Sequence, residues 1–290
     1  MKERKHIDSF WYENEEESLK KQINWCFNHN YGPKKSDTEK LTENINILGI
    51  VSPHAGFSCS GPFAATAFSV LKEKNPTADI IVVLGPNHTG MGDLLSIFPA
   101  PGKWNTPLGT LNINEMISKE IIELGKSDEC KLGINFDELA HKKEHSIDNQ
   151  IPFIQYCYGN IDIVPLCMAD VRYDTCIKLG NILAEIIIKY LSKFKILIVA
   201  SSDFTHFEPH TTVVEKDKIV IDKLIEINLE DANTLKKKTD ASICGFGPIL
   251  TLFHVAKKIG NNKGYLLKYG TSGDTCGSKN SVVGYGALAI

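Results

Sequence analysis

Ile196-Leu197-Ile198-Val199-Ala200 runs without a polar break into Ser201-Ser202-Asp203-Phe204-Thr205-His206, and this junction carries the main clue to the fold. Five consecutive aliphatic residues leave no side for water, so the run is predicted as a strand covered on both faces, as in the middle of a parallel sheet. A predicted helix, Tyr173 to Lys193, leads into it. The same pattern recurs twice upstream: Ile47 to Val51 runs into Ser52-Pro53-His54-Ala55-Gly56, and Ile80 to Leu84 runs into Gly85-Pro86-Asn87-His88, with a predicted helix from Pro62 to Glu73 between them.

The rest of the chain alternates in the same way. Helices are predicted at Glu15 to Asn28, where Leu19, Ile23 and Cys26 share one face, and at Asn114 to Leu124. A further helix at Ile147 to Tyr156 is expected to be kinked by Pro152. Others follow at Val213 to Leu229, Ala232 to Lys238 and Pro248 to Ile259. Strands are predicted at Ile161 to Leu166, Tyr265 to Tyr269 and Val282 to Ile290. A polar, lysine-rich connector reaches to about Asn44. With no internal repeat or linker, residues 1–290 are expected to form a single α/β domain with a largely parallel or mixed central sheet flanked by helices.

Composition narrows the function classes. Hydrophobic residues make up 42% and charged residues 23%, which excludes a disordered or fibrous chain. A net charge of -3 argues against nucleic-acid binding, which needs a cationic surface, and the short lysine runs read as solvated faces. The start of the chain lacks the apolar stretch of a signal peptide and no run is long enough for a membrane span, so a cytoplasmic protein is expected. The eight cysteines are scattered without a C-x-x-C pair and are expected to be mostly buried thiols.

Three predicted strands end in a histidine: His54, His88 and His206. In open α/β sheets the carboxyl edge is where ligands bind, so parallel neighbours would bring the three imidazoles into one cleft. Converging neutral imidazoles suit a transition metal rather than Ca or Mg. Any one of them read alone is a loop or capping histidine. Glu144-His145-Ser146-Ile147-Asp148 opens a predicted helix, and reads either as an anion site at a helix N-terminus or as a plain cap with Ser146 as capping residue. Cys244, in Ser242-Ile243-Cys244-Gly245-Phe246-Gly247-Pro248, reads either as an inert buried thiol or as one acidified by the helix beginning near Pro248.

These segments, with Ile243-Cys244-Gly245 and the closing Gly284-Tyr285-Gly286-Ala287-Leu288, resemble the Memo family, whose members are related in fold to the class III extradiol dioxygenases. The resemblance runs from about Gly49 to Ile290, and residues 1–44 are less distinctive. It implies that His54, His88 and Cys244 are metal ligands, with Asp203 and His206 lining the same cleft. The related dioxygenases hold Fe(II) with two histidines and a carboxylate, whose place Cys244 takes in this sequence. A thiolate is softer, so one ion of iron or copper is expected, with zinc as the other candidate.

The leading expectation is therefore a mononuclear metal protein with redox or oxygenase-like chemistry. An enzyme reading adds His145, His206 and Asp203 as the catalytic set, with His145 or His206 as general acid or base. Cys244 as a metal-free nucleophile is a third reading. A fourth is a non-catalytic adaptor that binds an anion or a peptide in the same cleft, since some family members are described as binding phosphotyrosine peptides; no arginine cluster accompanies the motifs. The resemblance also implies an association with a radical-SAM protein and an AMMECR-type protein. The small-molecule or peptide ligand is not specified by the sequence.

Overall fold

A computed structural model describes residues 1–6, 10–39, 41 and 45–290, with the backbone alone for Thr38 and Glu39. Parts of the lysine-rich connector, residues 40 and 42–44, lie outside the described residues. In chain order the elements are β1 (Lys2–Arg4), α1 (Glu16–Asn28), α2 (Lys35–Glu39), β2 (Gly49–Ser52), α3 (Gly61–Lys74), β3 (Ile80–Pro86), β4 (Leu95–Ile97), β5 (Gly102–Thr106) and β6 (Gly109–Asn112). Then come α4 (Glu115–Lys126), β7 (Ile134–Phe136), α5 (Ile151–Tyr158), β8 (Asp162–Met168), α6 (Tyr173–Tyr190), β9 (Ile196–Ser201) and β10 (His206–Glu208). The chain closes with α7 (His210–Ile225), α8 (Leu229–Lys238), α9 (Phe246–Lys258), β11 (Tyr265–Thr271), α10 (Ser272–Thr275) and β12 (Val282–Ala289).

Nine strands form one mixed sheet in the order β10-β12-β2-β9-β3-β8-β4-β7, with β11 also paired to β12. Its centre, β2-β9-β3-β8, is wholly parallel. Every residue of β2, β3 and β9 is buried, which is why these strands read as unbroken apolar runs rather than alternating ones. Successive side chains still point to opposite faces. Val82, Leu84, Ile198 and Ala200 enter one core with α4, α6, α7, α8 and α9. Ile81, Val83, Leu197 and Val199 enter a second core with α1, α3 and α5. Each fully buried aliphatic side chain adds roughly 1.5–3 kcal/mol, so this sandwich rigidly fixes the strand ends.

Register places those ends side by side. Ser52 pairs with Ser201, and Leu84 with both Ala200 and Leu166, so the loops carrying His54, Asp203 and His88 leave adjacent strands at one edge.

Several boundaries differ from the sequence reading for local reasons. The helix expected from Ile147 to Tyr156 is a 3-10 turn over Asp148–Gln150 followed by α5, whose first turn holds Pro152. There a missing N–H costs nothing, so the proline starts the helix instead of kinking it. The helix expected from Val213 to Leu229 begins earlier, at His210, and stops at Ile225, because Asn228 accepts a hydrogen bond from Asp231 N and caps α8. A small separate sheet, β1-β5-β6, was not foreseen.

The cysteine reading also needs correction. Cys59 and Cys276 form a disulfide across 217 residues of sequence, while Cys26, Cys130, Cys157, Cys167, Cys176 and Cys244 are free. Among the described residues, no helix is long and apolar enough to cross a membrane.

Candidate metal centre

His54 follows β2 and is buried; its backbone N–H donates to Asp203 Oδ1 at 2.8 Å. Asn149 Nδ2 holds the His54 carbonyl, and Gln150 Nε2 holds that of Pro53 at 3.0 Å, so the loop is clamped from the 3-10 turn beneath it. His88 follows β3, and its loop is closed by Asn87, whose side-chain oxygen accepts from the N–H groups of Thr89 and Gly90. His145 comes from the segment before the 3-10 turn. One ring nitrogen from each of His54, His88 and His145 lies within 4.8 Å of the other two, a spacing at which they can hold one metal ion.

Glu144 orients two of these rings. Its Oε1 accepts from His88 Nδ1 at 2.9 Å and from Ser146 N at 2.9 Å, and lies 3.5 Å from His145 Nδ1. Burial pushes this carboxyl up, but the His88 hydrogen bond and charge, the Ser146 amide and His145 outweigh it and hold it at about 2. The anion site and Ser146 cap considered from sequence do not form. The Ser146 amide is used by Glu144, and the Ser146 hydroxyl donates to Pro86 O at 2.8 Å.

Burial pushes the His54 imidazole well below its usual range, with His88, His145 and His206 adding to the effect. It also lowers His145 to about 4, against the pull of Glu144. Both rings are therefore neutral at pH 7 and keep a lone pair for a metal.

Cys244 lies between α8 and α9, with Sγ 3.3 Å from His54 Nε2. Burial first, and the Asp203 carboxylate second, push its thiol well above the usual range. Desolvation overrides the acidifying effect expected of the α9 N-terminus, so the metal-free residue is a neutral thiol and not an activated nucleophile. Asp203 is itself raised by burial, partly offset by His206 and by the amides of His54 and Ala55. His206 is held from the other side, its N–H donating to Ser242 Oγ and its Nδ1 lying 2.9 Å from Ser242 O.

All six sequence-derived residues thus meet at one edge of the sheet. His54, His88 and His145 form the compact group, Cys244 touches it through His54 and lies against the Asp203 carbonyl, and His206 is tied to Ser242, two residues before Cys244. Sequence reasoning missed Trp11, whose indole stacks on His145 at 4.0 Å between ring centres and 4° between planes. It also missed Ser201, 2.8 Å from His54 Nδ1. Trp11 lies in an N-terminal stretch without a motif, while the position of Ser201 at the end of β9 was the available signal.

The model of a family described as Memo-like protein matches residues 5–289. A MEMO1 family protein of Sulfurisphaera tokodaii is 41% identical over 280 residues, covering 95% of this chain and 94% of the relative. Another, of Sulfolobus acidocaldarius, is 42% identical over 282 residues at the same coverage. A third, of Desulfurococcus amylolyticus, is 40% identical over 291 residues, covering 99% of both chains.

Proposed function

The chain belongs to the Memo family, and from that premise we propose that it is a mononuclear metal protein holding one iron or copper ion through His54, His88 and Cys244. The observation that carries this reading is the convergence of three imidazoles from the ends of packed, adjacent elements, with a sulfur 3.3 Å from the deepest of them. A nitrogen and sulfur donor set suits a borderline or soft transition metal and not a hard, oxygen-seeking cation. Such an ion supplies Lewis acidity and, if iron or copper, one-electron chemistry.

The surrounding residues then have separate tasks. Asp203 fixes the His54 backbone, its Oδ1 accepting from that amide. His206, pinned through Nδ1, presents Nε2 for proton transfer. His145 would either complete the donor set or serve as a second proton carrier. Ring cleavage of a catechol is not part of this proposal. An anion-binding adaptor finds little support in the charged residues: Arg4 is engaged by Asp148 and Arg172 by Asp170.

Elemental analysis of protein purified without added metal tests the reading, with stoichiometric iron or copper expected in the wild type and loss of it in both His54→Ala and Cys244→Ala. Full retention of metal by both variants would sink it. Loss in His145→Ala with retention in Cys244→Ala would move the third ligand from sulfur to imidazole. Zinc at full occupancy would remove the redox component.

A further inference from the structure

His54 can present a bare nitrogen to the cleft in only one of its two neutral tautomers, and its neighbours decide which one. The Ser201 hydroxyl oxygen lies 2.8 Å from His54 Nδ1, 2.6 Å from the Ser146 carbonyl oxygen and 2.9 Å from Gln150 Nε2. A hydroxyl has one proton to give and two lone pairs with which to accept. The orientation of the Gln150 amide is set independently, because the same nitrogen donates to Pro53 O at 3.0 Å. Gln150 is therefore a donor to Ser201, and the Ser146 carbonyl is an acceptor.

The single Ser201 proton must go to Ser146 O. Directed elsewhere, it would leave two unprotonated oxygens facing each other at 2.6 Å, with a buried carbonyl unpaired. What Ser201 has left for His54 is a lone pair. Nδ1 then carries the imidazole proton, and Nε2, facing Cys244 Sγ at 3.3 Å, is bare. His88 reaches the same tautomer by another route, because Glu144, an anion, can only accept from its Nδ1.

We propose that Ser201 is the positioning residue of this centre: its hydroxyl, locked between Ser146 and Gln150, holds the Nδ1 proton of His54 and so keeps Nε2 free to bind a metal. The inference deepens the metal-binding reading and rests on it for its purpose, though not for its geometry. It also makes the two imidazoles unequal donors. His88 is backed by a carboxylate and is the more electron-rich, while His54 is backed by a neutral hydroxyl.

Long-range proton–nitrogen NMR correlation of the histidine rings in metal-free, nitrogen-15-labelled protein at neutral pH reads the tautomer directly. The expected wild-type result is a protonated Nδ1 and bare Nε2 at His54; a protonated Nε2 overturns the proposal. In Ser201→Ala, His54 is expected to shift to a mixture while His88 keeps its tautomer, a distinction that general loosening of the structure would erase. Anaerobic titration with Fe(II) and with Cu(I) should show affinity weakened by roughly 10–100-fold in Ser201→Ala and retained in Ser201→Thr. An unchanged His54 tautomer in Ser201→Ala overturns the proposal, and should that variant fail to fold, the wild-type spectrum still decides. A wild type that binds neither ion would defeat the metal reading and leave the tautomer result standing.

Discussion

Glu144 and His141 sit three residues apart and illustrate opposite electrostatic outcomes of burial. Glu144 is held at about 2 because donors surround it, so its ionised form is the native one. A depressed carboxylate stabilises fully above its unfolded value of about 4.5, and the benefit disappears as pH falls towards about 2. Glu144→Gln keeps the shape but cannot accept from His88 and Ser146 as strongly. It is expected to weaken iron or copper binding by roughly 10–100-fold, measured by titration of the metal-free protein. His141 is fully buried, with Nε2 on Ser96 O at 3.0 Å and, among the described residues, no partner for Nδ1, and burial lowers it to about 4. As a base with a depressed folded value, it stabilises the neutral fold above about 6.5, and that contribution is lost as pH falls from there towards 4. The size is about 3 kcal/mol on the scale of 1.36 kcal/mol per pH unit. Urea unfolding of metal-free protein between pH 7 and pH 4 should show stability falling, and His141→Gln should make the slope shallower; an identical slope would show that His141 is not buried in the neutral form.

β1 is three residues long, yet it anchors the segment that carries Glu144 and His145. Its Arg4 is 3% exposed, bonds to Asp148 and to the carbonyls of His141 and Glu144, and lies 4.4 Å above the Trp104 ring. Asp148 also accepts from Trp104 Nε1 at 2.9 Å and from Tyr12 at 3.0 Å. Removing one partner of a buried pair leaves the other charge uncompensated, at a cost of about 3–5 kcal/mol. Arg4→Met should lose that much in urea unfolding and Arg4→Met/Asp148→Leu should recover part of it; a double variant that loses the sum of the Arg4→Met and Asp148→Leu losses would mean the pair is not coupled. None of this was legible in Met1 to His6, a polar stretch with no periodicity, because its strand status comes from pairing with Gly102–Trp104. β3 and β9 were legible because burial on both faces writes itself into consecutive residues. The three-residue strands β4 and β7 lie near the sheet's margin and are too short to show a pattern. The histidines after β2, β3 and β9 could be read because strand ends predict position. The stacking of Trp11 on His145 could not, since no local pattern links residues so far apart.

At the scale of the whole molecule, the Cys59–Cys276 bridge ties the loop that follows His54 to the end of α10, so it spans both ends of the chain's main sheet in sequence. Sequence spacing could not suggest this pair, because its two cysteines are brought together only by the pairing of β11 with β12 and of β12 with β2. A crosslink acts chiefly on the unfolded chain, removing loop-closure entropy that grows with the logarithm of the loop length. For a separation of 217 residues that relation gives about 5 kcal/mol, an upper value because unfolded chains retain some structure. The candidate metal centre should be nearly indifferent to the bridge in the folded state. His54 is held by Asp203, Asn149 and Ser201, all reached without passing through Cys59. Reduction is therefore expected to lower the urea midpoint, by the equivalent of up to about 5 kcal/mol, while leaving metal stoichiometry under native conditions unchanged. Cys276→Ser should reproduce the effect without reductant, which separates loss of the bridge from any action of the reductant on a bound metal ion. A midpoint identical with and without reductant would mean that the bridge contributes nothing to stability, and metal released by reductant but not in Cys276→Ser would place the reductant's effect at the metal ion and not at the bridge.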